Sequence, residues 1–101
     1  MAVTVATPVV TQMDICSQRP GRAINKITAA LTSIDGADDT ATLTFPTALD
    51  VAPEIISVVH VADNPINSVV TSVSASAIVL TVNSVTATAS SVSVVYQTVI
   101  G

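Results

Sequence analysis

The chain has little charge, few aromatic rings and one cysteine. Only 10% of its 101 residues are charged, its three basic side chains lie between Arg19 and Lys26, and its formal net charge is −4. Proteins that bind nucleic acids or anionic membranes use many Lys and Arg residues, so this composition argues against both classes of partner. Because Cys16 is the single cysteine, no intrachain disulfide can form.

Val and Thr dominate what is present. The sequence contains 18 Val and 14 Thr residues, whereas Phe45 and Tyr96 are its only aromatic residues. β-Branched side chains fit a pleated sheet, and a chain of this length forms one domain. The apolar run 77–82 is too short to cross a bilayer. We therefore expect a thin aliphatic core between β-strands.

The pattern of the chain is that of strands joined by turns. From Thr40 to Phe45, Thr residues alternate with apolar residues, and Pro46 and Pro53 bracket the connection to a second strand over 54–62. Three more strands are predicted over 68–74, 77–83 and 91–100, and the segment 23–34 favours a strand although its apolar residues have helical spacing. The sequence thus predicts an all-β fold, a small antiparallel β-sandwich of about six to seven strands. The residues predicted for the core after Thr40 are Ala41, Leu43, Phe45, Ile55 and Val59.

The N-terminal segment differs from the rest of the chain. Val3, Val5 and Val9 need burial, but Pro8 excludes a central-strand role. We therefore divide the chain into an extended N-terminal arm, 1–22, and a β-sandwich domain, 23–101. The arm is expected to pair with a sheet edge of a neighbouring subunit. The alternative is that this segment folds back as the first strand of its own sandwich.

The second half of the chain carries no charge at all. From Asn64 to Gly101 there is no Asp, Glu, Lys, Arg or His. Soluble monomers protect exposed strand edges with charge, and the strand 77–83 carries apolar residues on both faces, with Ile78 on one and Val79 on the other. A homo-oligomer, a trimer assembled mainly through 64–101, would supply the covering surface. The alternative is that Ser and Thr alone keep this half soluble.

Catalytic residues would have to come from very few positions. His60, the only histidine, is expected on an apolar face with Ile56 and Val58 as a structural residue, and a metal shared between His60 copies in an oligomer is the alternative. Cys16 and His60 show no local catalytic signature, and neither a nucleophile elbow nor a phosphate loop is present. The sequence predicts a non-enzyme without catalytic or cofactor-binding residues.

Three carboxylates cluster in one turn. Asp35, Asp38 and Asp39 lie within five residues, and Asp35 forms an Asp-Gly pair with Gly36, which is typical of a solvated hairpin turn. Calcium is the alternative, but the spacing lacks the alternating oxygen ligands and the closing Glu of a known calcium loop. We therefore predict no metal site.

One short segment resembles a known fold. Residues 45–55, FPTALDVAPEI, resemble the opening motif of the H-type lectin fold, in which a strand ends in Phe-Pro and a later Pro leads the next strand. Residues 95–101 are similar to the last strand of that fold. The resemblance implies a sandwich and an oligomer. The family's later Trp and sugar-contacting residues have no counterpart in this chain, and Tyr96 is the only aromatic residue that could offer a sugar-stacking face outside the core.

The composition also resembles that of small bacteriophage and viral virion proteins of the decoration, cement or fibre-tip type. We therefore expect a virion structural protein, a capsid decoration or cement protein that binds capsid or tail proteins. The alternative is a carbohydrate-binding module at a phage fibre tip. A cell-surface or pilus subunit is a third class, against which the absence of a basic, apolar leader after Met1 counts. The expected location is the virion, assembled in the host cytoplasm.

Overall fold

The computed structural model of the chain describes residues 3–15 and 23–98. These residues contain eight strands and no helix. The strands are β1 (Thr4–Val5), β2 (Val9–Ile15), β3 (Ala23–Ile34), β4 (Asp39–Thr44), β5 (Glu54–Ala62), β6 (Asn67–Val73), β7 (Ala77–Asn83) and β8 (Thr88–Gln97). The predicted all-β fold is confirmed, and 23–34 is a strand as expected.

Two antiparallel sheets make up the molecule. The larger sheet has the order β1–β3–β8–β5, and β2 pairs with β3 along the edge that β1 also uses. The smaller sheet has the order β4–β7–β6. Eight strands are described instead of the six to seven expected, because the N-terminal segment is interrupted around Pro8 and forms two strands, β1 and β2, rather than one.

The core lies between β3 and β8 of the larger sheet and β4 and β7 of the smaller one. Alternate residues of these strands point inward, as the period of two requires. The predicted division of β7 is confirmed, since Ile78 is buried and Val79 is only half-buried. The buried apolar residues are Ile27, Ala29, Leu31, Ile34, Ala41, Leu43, Phe45, Ile78, Leu80, Val82, Val92, Val94 and Tyr96.

A bulge in β3 explains the helical spacing of its apolar residues. The register with β8 shifts between Leu31 and Ile34, and Ser33 has a φ of 65°, a left-handed conformation that is uncommon outside glycine. The extra residue lets Leu31 and Ile34 both reach the core, although a regular strand would place them on opposite faces. A strand with one bulge therefore mimics part of a helical stripe.

A second bulge changes the face of β5. The register with β8 shifts between Ile55 and Ser57, so Ile55, Val58 and His60 face inward. The prediction that Val59 belongs to the core is wrong, because this residue is 53% exposed. Ile55 is half-buried against the core, as predicted, and Ile56 does not share the face of His60.

The turn around Gly36 is not a hairpin. β3 belongs to the larger sheet and β4 to the smaller one, so the connection 35–38 crosses between sheets, and the predicted hairpin is wrong. The Asp35 carboxylate accepts a 3.0 Å hydrogen bond from the Ala37 N–H, and Asn83 donates to Asp38. Two of the three carboxylates therefore accept hydrogen bonds that stabilise the connection between the two sheets.

The N-terminal segment pairs with its own sheet. β1 pairs with Leu31 and Thr32 of β3, and β2 pairs with residues 23–28 of the same strand. This is the alternative in which the segment forms part of its own sandwich. An arm that reaches onto a neighbour stays a prediction about the assembled protein, and residues 16–22, which join the segment to the domain, lie outside the described residues.

Candidate functional site

His60 lies on the inner face of β5, opposite Val92 of β8. Its Nδ1 is 3.0 Å from the hydroxyl of Ser90, a residue that is itself buried. Its Nε2 is buried and has no hydrogen-bond partner among the described residues. Burial lowers the pKa of His60 below its ordinary value, because a poorly solvated site disfavours the charged imidazolium. Burial therefore favours the neutral form of His60, and one of its two nitrogen atoms has a hydrogen-bond partner among the described residues.

The pair of His60 and Ser90 lacks the features of a nucleophile with its base. Such a pair needs a hydroxyl that a substrate can reach and a third group that orients the imidazole from its other nitrogen. The Ser90 side chain is only 5% exposed, and no described residue bonds to the Nε2 of His60. The geometry fits a hydrogen bond that fixes β5 against β8.

A cleft of about 550 Å³ lies beside His60, between the inner faces of β5 and β6. The chain passes from the larger to the smaller sheet through residues 63–66, which form one wall of this cleft. Ser68 of β6 also lines the cleft, and its hydroxyl is buried without a partner in the described part of the chain. Sequence reasoning missed Ser68, since it is one of many Ser residues in an uncharged stretch and nothing distinguishes it.

The core is incomplete on the side of this cleft. The half-buried apolar residues that pack against the core are Val3, Val5, Leu49, Ile55, Val58, Ile66, Val70 and Val73. Five of the eight belong to β5, β6 or their connection. On the opposite side, β4 lies next to both β1 and β3. The sandwich is therefore closed along β1 and β4 and open between β5 and β6.

Apolar side chains are exposed around this open side. Val61 on β5 is 71% exposed and Val69 on β6 is 67% exposed. β5 and β6 are edge strands of the described chain, because each pairs with only one neighbour there. Between Asn64 and Thr98 there is no charged residue, and Asp63 lies at the wall of the cleft. The two edges thus combine free backbone groups, exposed valines and little charge.

Both aromatic rings are buried. The ring centroids of Phe45 and Tyr96 are 5.2 Å apart with an interplanar angle of 59°, and Tyr96 is 1% exposed. Burial raises the pKa of Tyr96 against the opposing effect of a side-chain hydrogen bond with Asn25. A small cavity of about 250 Å³ lies beside the two rings. Tyr96 therefore belongs to the core and offers no open face for stacking on a sugar.

The described residues contain no group of three or more His, Cys, Asp or Glu side chains that could hold a metal ion. Asp39 has one buried carboxylate oxygen without a partner in this part of the chain. Cys16, the other candidate that the sequence offered for catalysis, lies outside the described residues.

In residues 3–15 and 23–98 there is no helix that is long and apolar enough to cross a membrane. Comparison of the chain with known proteins found no matching protein-family model, no matching curated protein and no matching solved structure. The features from which a function can be inferred are therefore the open edge strands and their lack of charge.

Proposed function

We propose that this chain is a non-enzymatic structural protein of a virion, a capsid decoration or cement protein that forms a homo-oligomer. It binds capsid or tail proteins through uncharged β surfaces, and its copies form a trimer. The observation that carries the proposal is the uncharged surface of residues 64–98, which includes an open strand edge and exposed valines. A contact of this kind buries apolar and hydroxyl groups without the large cost of desolvating charges.

The fold limits which parts of residues 64–98 can contact another chain. β7 and β8 are central strands that are paired on both sides, so among the described strands of this segment only β6 has an edge without a partner strand. The outer face of the smaller sheet presents Thr and Val side chains, and the hydroxyl groups of Thr71 and Thr81 are 2.5 Å apart. Such an uncharged face suits contact with another protein surface. The cavity of about 440 Å³ that Thr42 and Thr44 help to line has no titratable side chain in its described lining.

No observation favours the carbohydrate-binding alternative. Sugar rings stack on exposed aromatic faces, but Phe45 and Tyr96 pack against each other inside the core. A glycan array would separate the two functions, because a decoration protein should show no saccharide preference.

Two lysine substitutions test the proposal. Ser72 is exposed on β6, and Ser93 lies on the outer face of β8. Ser72→Lys and Ser93→Lys should weaken assembly or particle binding if these faces are covered, because an unpaired buried charge is costly. Thr47→Lys, in the exposed connection between β4 and β5, is the matched control.

Sedimentation velocity at micromolar concentration reports the oligomeric state, and co-sedimentation with capsids that lack this chain reports binding. A parent chain that is monomeric would exclude self-association and leave a heterologous partner. A parent chain that does not co-sediment with capsids or tails would overturn the proposed function.

A further inference from the structure

The large apolar side chains that remain exposed are concentrated on the two edge strands of the larger sheet. Of the eight whose exposure the structure describes, six lie on β2 or β5, and the other two are Val69 on β6 and Val85 in the β7–β8 connection. On β2 and β5 they are Val9, Val10, Met13, Ile56, Val59 and Val61. The central strands β3 and β8 contribute none. The exposed apolar surface therefore follows the two ends of one sheet.

Both edge strands have a side without a partner strand among residues 3–15 and 23–98, and both have little protection. In this part of the chain β2 pairs only with β3, and β5 pairs only with β8. Their bulges, at Met13 and Ile56, lie toward one end of each strand, which leaves 9–12 and 57–62 regular. These regular stretches contain no Lys, Arg, Asp or Glu, the residues that ordinarily prevent edge-to-edge pairing.

We infer that β2 of one copy pairs with β5 of the next, so that the larger sheet continues from copy to copy. This inference rests on the self-association in the proposed function and assigns it to two strands. The two regular stretches are about 13 and about 20 Å long at about 3.3 Å per residue, so the shorter one fits along the longer one. One chain thus carries both complementary edges, at opposite ends of the same sheet.

A second copy is the occupant because one chain carries both edges, β2 at one end of the larger sheet and β5 at the other. The chain has a net charge of −4, and like charges held together at a contact oppose association. The carboxylates of the two strands, Asp14 on β2 and Glu54 on β5, lie outside the regular stretches 9–12 and 57–62. Two copies can therefore pair along these stretches without a carboxylate within either of them.

The inner face of β2 also suits the open side of the next copy. Val10 faces inward opposite Ile27 and is 37% exposed. When β2 extends the larger sheet beside β5, Val10 faces the mouth of the cleft that Val58 and His60 line. The contact is head-to-tail, because two different edges meet, and it closes as a ring only when the rotation per copy permits it. A rotation of a third of a turn gives the trimer.

Complementation between two blocked variants tests the inference. Val9→Lys blocks the β2 edge and leaves β5 intact, whereas Val61→Lys does the reverse. Both side chains are more than half exposed, so neither substitution should change the melting temperature of the monomer. Thr47→Lys, in the exposed connection between β4 and β5, is the matched control.

In sedimentation velocity, each blocked variant alone should be monomeric at a concentration at which the parent and Thr47→Lys are trimeric. An equimolar mixture of the two blocked variants should form a dimer, since one intact β2 edge can meet one intact β5 edge. This recovery distinguishes a head-to-tail contact from a symmetric one.

Three results would overturn the inference. The first is a monomeric parent chain. The second is an oligomer that survives Val9→Lys but dissociates with Val61→Lys, which would mean that two β5 edges meet. The third is an oligomer that neither substitution affects but that Ser72→Lys dissociates, which would place the contact on the smaller sheet and leave the proposed function standing. Conversely, successful complementation by a chain that binds no capsid or tail would overturn only the proposed function.

Discussion

Phe45 is the largest apolar side chain of the core, and its ring packs against that of Tyr96. Truncating a buried Phe to Ala typically costs about 3–5 kcal/mol, a large part of the stability of a small domain. We expect Phe45→Ala to lower the free energy of unfolding by this amount, as measured by urea denaturation. Thr44→Ala, at the exposed neighbouring position, is the control. A melting temperature within about 4 °C of the parent would indicate a cost of only about 1 kcal/mol and would contradict the packing role.

His60 makes stability depend on pH. Its pKa is lowered in the folded state by burial, whereas the unfolded chain titrates near pH 6.5. As the pH falls below about 6.5, the unfolded state takes up a proton that the folded state resists, so the protein loses stability until the pH passes the folded pKa. Above that window His60 is neutral in both the folded and the unfolded state, so this loss of stability is absent.

We expect the free energy of unfolding of the parent to decrease between about pH 7.5 and about pH 5.5, where most carboxylates stay ionised. His60→Gln has no titrating group at this position and should show a flatter profile over the same window. Denaturant unfolding at several pH values measures both. Parallel profiles for the two chains would mean that His60 titrates alike in the folded and unfolded states.

At the scale of elements, one serine holds three connections together. Ser84 is 1% exposed, and its backbone N–H donates to the Asp35 carbonyl at 2.7 Å. Its hydroxyl lies within hydrogen-bond distance of the carbonyl oxygens of Pro65 and Thr86, at 3.0 and 2.7 Å. The three connections 35–38, 63–66 and 84–87 thus meet at one end of the sandwich.

Ser84→Ala should cost about 0.5–1.5 kcal/mol, because it removes the hydrogen bond that the buried hydroxyl donates to the carbonyl of Pro65 or Thr86. Chemical denaturation measures this cost, and Ser72→Ala at an exposed position is the control. A cost below about 0.5 kcal/mol would mean that water replaces the hydroxyl. Faster hydrogen exchange confined to the three connections would localise the effect to this end of the molecule.

The alternation of residues predicts most strands but not the bulges within them. The alternation of Thr and apolar residues places Ala41, Leu43 and Phe45 in the core as the structure has them. In β5 the same rule assigns Val59 to the wrong face, because one extra residue at Ile56 reverses the alternation. A bulge depends on how the partner strand pairs, so a Val- and Ile-rich stretch does not reveal it.

Strand pairing limits what the sequence can predict about the site. The cleft forms because β5 and β6 belong to different sheets and diverge from the short connection 63–66. His60 could be singled out as the only histidine, but its contact with Ser90 spans 30 residues. Ser68 can be recognised as a site residue only from the structure, in which it pairs with the buried Val82 and lies on the last strand of the smaller sheet among the described residues. Local composition predicts the uncharged surface, whereas the topology determines where it opens.

At the scale of the whole molecule, the two sheets differ in width. The larger sheet is four positions wide and the smaller one is three, and β4 lies against β1 and β3. The smaller sheet therefore leaves part of the inner face of the larger sheet uncovered. This part lies beside β5 and β6, where the inner-face residues are only half-buried. The body measures 44 × 20 × 20 Å.

Deleting residues 2–18 tests the role of the N-terminal segment in this assembly. All the buried core residues of the described chain lie between Ile27 and Tyr96, so the shortened chain keeps its core. It loses the half-buried Val3 and Val5 together with β2, whose described apolar side chains are exposed. We expect it to fold with reduced stability and to be monomeric, because the edge that meets β5 of the neighbour is gone.

Deleting only residues 2–8 is the matched control, since it removes β1 and Pro8 but keeps β2. Circular dichroism reports folding, and sedimentation velocity reports the oligomeric state of both shortened chains. If the longer deletion unfolds the protein outright, the segment is part of its own domain and the arm prediction is wrong. If both shortened chains fold but only the one that keeps β2 assembles, the contact depends on β2, because both chains lack β1 and retain the same core.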